Sequence, residues 1–230
     1  MCIRDRGYAA WFADRNLPMF AKVTERQKQL LLEAHGNLYA SVEEVPDALV
    51  RTPLQRAVQI LKRHRDGRFL GNEWEDEKPI SIIITTLAAQ AYRNEGDVYT
   101  ALVNIVGSLD RYAALLRPGA VLTEDLADRL IEKRDGAWYI PNPVNPAENF
   151  ADRWNDPGSH RAEAFFQWVR WMRQDLDAAI RAGDLSELGL FLTPIFGKRV
   201  AQAVATTDRR KKAPAVVPIK SNPSKPWGHG

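Results

Sequence analysis

Apolar positions recur at helical spacing along most of the chain. In GYAAWFADRN (Gly7–Asn16), Tyr8, Trp11 and Phe12 make an apolar face that needs a partner. Pro18 suits the first turn of a second helix. That helix runs to about Gly36, with Met19, Phe20, Val23, Leu30 and Leu31 as its stripe. A connector with Pro46 follows (Val42–Val50). Thr52 is a good N-cap, and Pro53 fits the first helical position of TPLQRAVQILKRHRD (Thr52–Asp66). Leu54, Ala57, Val58 and Leu61 form one face of it. Arg56, Lys62, Arg63, His64 and Arg65 crowd the rest, with cations gathered in the last turns. After the polar, turn-rich Gly67–Lys78, Pro79 starts a nearly all-apolar helix that reaches about Asn94, with Ser81 at its mouth.

The second half continues in the same way. Gly96–Leu116 keeps helical periodicity through Val98, Leu102, Ile105, Val106, Leu109, Tyr112, Ala113 and Leu116, and Arg117–Gly119 breaks it. Thr123–Lys133 reads as a short helix capped by Thr123. GAWYIPNPVNPAENF (Gly136–Phe150) is not helical, because three prolines interrupt it; Ala137–Ile140 reads as extended. A long helix starts at Asp156 or Ser159 and runs through Ala182. Phe165, Phe166, Val169, Met172, Leu176 and Ile180 are on its buried side, and Gly183 is placed to stop it. Two short helices, Asp184–Leu192 and Thr193–Ala205, precede a basic, Pro-rich extended tail. The pattern predicts an all-α (mainly) fold, a helical bundle with little strand.

Composition narrows the class. The chain has 230 residues, 45% hydrophobic and 27% charged, with a net charge of +3. That mild basicity suits small anionic ligands as well as nucleic acid. The apolar run Ile82–Ala91 is half of the roughly 20 residues that span a bilayer, so no membrane partner is expected. Cys2 is the single cysteine, which excludes a disulfide framework and a thiolate metal site and makes a cytoplasmic location the default. MCIRDR (Met1–Arg6) has no apolar h-region and is not a signal peptide. It looks like a non-native start, which would make the chain begin inside a longer protein.

The sequence has no GxxxxGK[ST] loop, no GxGxxG turn and no HExxH. No D-x-D pair is flanked by strand residues, so no two-metal carboxylate cluster is expected. His35, His64, His160 and His229 are scattered, and each suits an exposed or hydrogen-bonded role. Two signals remain. Lys62 and Ser81 lie across one helix–connector–helix unit and can face a common anion. A lysine is a compact cation, and a serine at a helix start adds a hydroxyl beside free backbone N–H groups. The bland alternative is a solvated last-turn lysine and an ordinary first-turn serine. The second signal is PNPVNPAENFADRW (Pro141–Trp154). Its Asn-Pro pairs fix backbone angles, and its Asn side chains bond their own turns. A purely structural clamp, anchored by Phe150 and Trp154, is the simpler reading of it.

Taken together, GYAAWF, TPLQRAVQILKRHRD, KPISIIITTLAAQAY, YIPNPVNPAENFADRW and the closing NPSKPWGHG resemble the bacterial cGAS/DncV-like nucleotidyltransferases, relatives of cyclic GMP–AMP synthase and oligoadenylate synthetase. The Pro-rich segment is similar to the DPADP-type loop of the oligoadenylate synthetases. The resemblance implies that Lys62, matching a spine-helix lysine, and Ser81, opening the next core helix, contact a nucleotide triphosphate. It implies NTP substrates and two Mg²⁺ ions held by three carboxylates. It also implies a cyclic or linear oligonucleotide product, used in antiphage signalling. The family's Gly-Ser turn and its carboxylates come from an N-terminal α/β palm that this sequence does not contain. The chain therefore resembles the C-terminal helical lobe of a polymerase-β-like enzyme, with residues 7–207 as the lobe and 208–230 as the tail. Alone it is expected to be inactive. The alternative is a non-enzymatic helical module for nucleic acid or a protein partner, motivated by Lys62–Arg65 and Arg209–Lys212.

Overall fold

The computed structural model describes residues 3–34, 36, 38–120 and 129–182. Five helices make most of it: α1 (Ile3–Ala34), α2 (Pro53–Phe69), α3 (Ser81–Ala91), α4 (Val98–Asp110) and α5 (Arg161–Ala182). Two antiparallel two-stranded ribbons lie between α4 and α5. Strand β1 (Glu132–Arg134) pairs with β2 (Ala137–Tyr139), and β3 (Pro141–Asn142) with β4 (Asn145–Asn149). The mainly helical expectation holds.

The caps explain the boundaries. The Thr52 hydroxyl accepts from Gln55 N at 3.1 Å, and the Gln55 side chain accepts from Thr52 N at 3.0 Å, a reciprocal cap with Pro53 in the first turn. Asp97 caps α4 through Thr100 N at 2.8 Å. The periodic stretch after α4 tightens into a 3-10 segment, Arg111–Leu116. α3 begins at Ser81 and ends at Ala91, shorter at both ends than Pro79 to Asn94. Its C-terminus is closed by a side chain from α1. Arg15 donates from Nε to Ala89 O at 2.9 Å and from its guanidinium to Tyr92 O at 2.7 Å.

Three local expectations change. Pro18 does not start a helix: it lies inside the continuous α1. A proline there removes its own backbone donor and crowds the carbonyl four residues before it. Anchors on both sides of it, Trp11, Phe12, Met19 and Val23, pack on the same core and hold the axis. Residues 129–134 are not the end of a helix: Arg129–Ile131 are irregular and Glu132–Arg134 form β1. The tight turn at Asp135 (φ 49°) and Gly136 (φ 84°) returns the chain as β2, and pairing overrides the weak helical pattern. The rest of that expected helix, the helices at 184–192 and 193–205, and the tail lie outside the described residues.

The core is one cluster built around α2, α3, α4 and α5. Leu54 and Leu61 meet Ile83, Leu87, Ile105, Leu109, Phe165 and Val169 there. An aromatic group continues it: Trp138 and Trp154 pack edge to face at 5.7 Å, and Trp154 meets Phe165 at 5.2 Å. The Asn-Pro segment clamps onto this group. Asn149 Oδ1 accepts from Ile140 N and Ala151 N, both at 2.9 Å, while its amide donates to Trp138 O at 2.9 Å. Asn155 holds Trp138 N at 2.7 Å. Buried backbone groups are thus satisfied where no regular ladder reaches them.

Candidate functional site

The two singled-out residues come together. Lys62, near the middle of α2 rather than in its last turn, and Ser81, the first residue of α3, line one cleft of about 640 Å³. Tyr8 and Phe12 of α1 form an aromatic wall, and Arg51, Gln55, Gln59 and Thr85 complete the polar lining. The helical repeat explains the α2 side: Gln55, Gln59 and Lys62 are four and then three residues apart, which aligns them on one face. That polar stripe was legible in the sequence but was hidden among the charges around it. Tyr8 is held in place by a 2.8 Å hydrogen bond between its hydroxyl and that of Thr86, and by edge contact with Phe150 at 6.2 Å. Burial pushes its phenol above the ordinary value. The clamp segment therefore braces the wall of the cleft.

The electrostatics favour an anion. Ser81 is exposed at the start of α3, and Ile80 before it supplies no side-chain cap. The first intrahelical bond runs from Ile84 N to Ile80 O at 3.3 Å. The N–H groups of Ser81, Ile82 and Ile83 consequently have no acceptor within the helix and give its start a partial positive charge. Lys62 is half-buried, and its ammonium is held below the ordinary lysine value, first by burial and then by the charge of Arg65. Arg65 is itself buried. It donates to Pro79 O at 2.7 Å and to the Ser81 hydroxyl at 3.2 Å, and it pairs with Asp66 at 2.7 Å.

The basic run of α2 does not form one surface. Lys62 faces the cleft and Arg63 is exposed, but His64 and Arg65 are buried. His64 lies on the opposite side, between α2 and α5. Its Nδ1 accepts from Trp168 Nε1 at 3.1 Å, so its Nε2 carries the proton donated to Asp175 at 2.8 Å. Arg68 also donates to Asp175, from Nε at 3.0 Å. Burial lowers the His64 pKa, outweighing the neighbouring carboxylate. Burial alone would raise the Asp175 pKa, but the bonds from His64 and Arg68 overcome it and keep the group below the carboxylate range. Each residue of this second cluster has a partner within it, and the cluster ties α2 to α5. The Arg209–Lys212 half of the nucleic-acid motif lies outside the described residues. Among the described residues, no three His, Cys, Asp or Glu side chains converge in a way that could hold a metal ion, so the Mg²⁺ implied by the resemblance finds no ligand set there. No described helix is long and apolar enough to cross a membrane.

No protein-family model matches the chain. Its likeness to individual proteins agrees with the motifs: it resembles the bacterial CD-NTases, the cGAS/DncV-like nucleotidyltransferases. One relative is the c-di-GMP synthase of Roseivirga ehrenbergii, 28% identical over 211 residues, which is 90% of this chain and 48% of that protein. The chain thus spans about half the length of the curated relative it matches. Among solved structures, it is similar to the Bradyrhizobium diazoefficiens CD-NTase CdnG in complex with GTP. That match has 22% identity and a TM-score of 0.48, covering 74% of this chain and 45% of the other.

Proposed function

We propose that the chain is the helical lobe of a nucleotidyltransferase that joins NTPs into cyclic or linear oligonucleotides, and that Lys62 and Ser81 hold the triphosphate of one NTP. The observation that carries this reading is the shared cleft: a half-buried lysine, an exposed first-turn serine and an uncapped helix start line one concave surface. Such a set matches a chain of phosphate oxygens, since backbone N–H groups, a hydroxyl donor and a cation all favour negative charge. The lobe spans residues 7–207, and the tail at 208–230 follows it. The similarity to a c-di-GMP synthase supports the reaction class and makes a cyclic guanine dinucleotide the first product to assay.

In this reaction a ribose hydroxyl attacks the α-phosphorus, and the bond to the β-phosphate oxygen breaks to release pyrophosphate. Charge builds on the leaving group, where Lys62 and the α3 start would neutralise it. Mg²⁺, when bound in the active enzyme, would supply Lewis-acid activation; no carboxylate set for it is found among the described residues. The resemblance extends the proposal to antiphage signalling in the bacterial cytoplasm.

Two measurements test the reading. The purified chain, incubated with Mg²⁺ and labelled GTP and ATP, should form no oligonucleotide; product would overturn the division of labour. In an intact relative carrying this lobe, Lys62→Ala should raise KM for NTP. An unchanged KM and kcat would remove the assigned role.

A further inference from the structure

We propose that Arg65 is a positioning residue of the anion site, acting through Ser81 by directing its hydroxyl proton into the cleft. The inference rests on the triphosphate reading of Lys62 and Ser81. Arg65 does not itself line the cleft. It sits behind it, buried between the end of α2 and the start of α3, with only 8% of its surface exposed. One terminal nitrogen of its guanidinium donates to both Pro79 O at 2.7 Å and Ser81 Oγ at 3.2 Å. The remaining edge, Nε and the other terminal nitrogen, grips Asp66 Oδ1 at 2.9 and 2.7 Å.

The donor inventory then decides the polarity of Ser81. A guanidinium has five N–H donors and no acceptor. Ser81 Oγ must therefore accept from Arg65, and its single proton is left for another acceptor. The Ser81 carbonyl is occupied, because Thr85 Oγ1 donates to it at 2.8 Å. In the open cleft that acceptor is solvent, and an anion bound beside Lys62 would take its place. The Pro79 bond serves a second purpose. It ties the residue two before α3 to α2, which keeps the uncapped N–H groups aimed where Lys62 reaches. The same positive charge bears on Lys62, whose ammonium it makes more acidic. One buried side chain thereby sets the donor direction of the serine, the orientation of the helix start and the proton affinity of the lysine.

Isothermal titration of the full chain with inorganic tripolyphosphate tests this. Arg65→Gln should weaken binding about tenfold, as expected for loss of a charge-assisted hydrogen bond. Ser81→Ala should weaken it by a similar factor. Because part of the effect of Arg65 passes through Ser81, the double variant should lose clearly less than the product of the two single losses. The basic limb of the binding profile supplies a readout that a merely structural role would not move. Binding needs protonated Lys62 and is lost as pH rises through its pKa. Removing the Arg65 charge raises that pKa, so in Arg65→Gln the limb should shift to higher pH, whereas Arg65→Lys should leave it near its original position. Losses that multiply in the double variant, with an unmoved limb, would overturn the inference and leave the triphosphate site standing. If the unmodified chain does not bind tripolyphosphate, or Lys62→Ala binds it equally well, the site reading fails and the role of Arg65 with it. Should Arg65→Gln not fold, the same cycle with Arg65→Lys and Ser81→Ala decides: equal loss from Arg65→Lys in both backgrounds overturns the inference.

Discussion

One turn of α2 carries two polar clusters on opposite faces, and they differ in hydrogen-bonding capacity. On the core face, His64, Trp168, Arg68 and Asp175 are joined in one network, and both ring nitrogens of His64 are engaged. On the cleft face, Lys62 is half-buried without a carboxylate partner among the described residues, Ser81 has a proton to give and α3 starts uncapped. Both faces contain charged groups in partial burial. On the core face the bonded donors converge on Asp175, whereas the donors of the cleft face line a cavity. Residual capacity, rather than charge or burial alone, is what separates a binding surface from a polar staple.

The comparison predicts opposite outcomes for neighbouring substitutions. The largest effect on folding is expected at Asp175. Asp175→Ala leaves Arg68 unpaired and His64 without its acceptor, and should cost about 3 kcal/mol of unfolding free energy in a urea titration. Its affinity for tripolyphosphate should be unchanged. A loss of less than about 0.5 kcal/mol would mean that the network is not a structural staple. Lys62→Ala should do the reverse, lowering tripolyphosphate affinity by at least about tenfold while unfolding free energy moves by less than about 0.5 kcal/mol. A variant that lost stability but kept affinity would invert the assignment of the two faces.

Trp168→Phe should cost about 1–2 kcal/mol, since the ring still packs but His64 Nδ1 loses its donor. Thermal unfolding monitored by circular dichroism would measure it. The smallest effect is the pH response of the unmodified chain. His64 has a lower pKa folded than unfolded, so the unfolded state binds more protons once pH falls below the ordinary imidazole value of 6.5. Stability should therefore hold above that pH and decline below it. His64→Gln should flatten this first decline. The further loss from protonating Asp175 begins only near and below the ordinary carboxylate value of 3.8. An acid profile in His64→Gln identical to that of the parent would detach the first decline from His64.

Much of the scaffold was readable along the chain. Thr52 and Pro53 announced the start of α2, because a cap and a first-turn proline act within four residues. The apolar face of α5 was equally plain, since Phe165, Phe166, Val169 and Met172 repeat at helical spacing and are buried. Pro18 misled because local propensity favours a helix start, whereas packing on both sides of it carries α1 through. His64 has the hydrogen-bonded role expected of it, but as members of a basic surface His64 and Arg65 misled in the same way. In sequence they continue a basic run, but the axis of α2 turns one toward Asp175, 111 residues away, and the other toward Pro79.

Sequence by itself determined the cap and start of α2, the apolar face of α5, the non-helical Asn-Pro segment and the two residues, Lys62 and Ser81, whose chemistry suits an anion. These depend on interactions within a few residues or on side-chain type. Tertiary structure alone decided which polar groups retain free donors. Where a serine can send its proton is narrowed by Arg65 donating to its oxygen. Whether a histidine is neutral depends on burial against α5, which outweighs the aspartate that the same helix brings. Such partnerships are set by the angle at which helices pack, and no spacing along the chain encodes that angle.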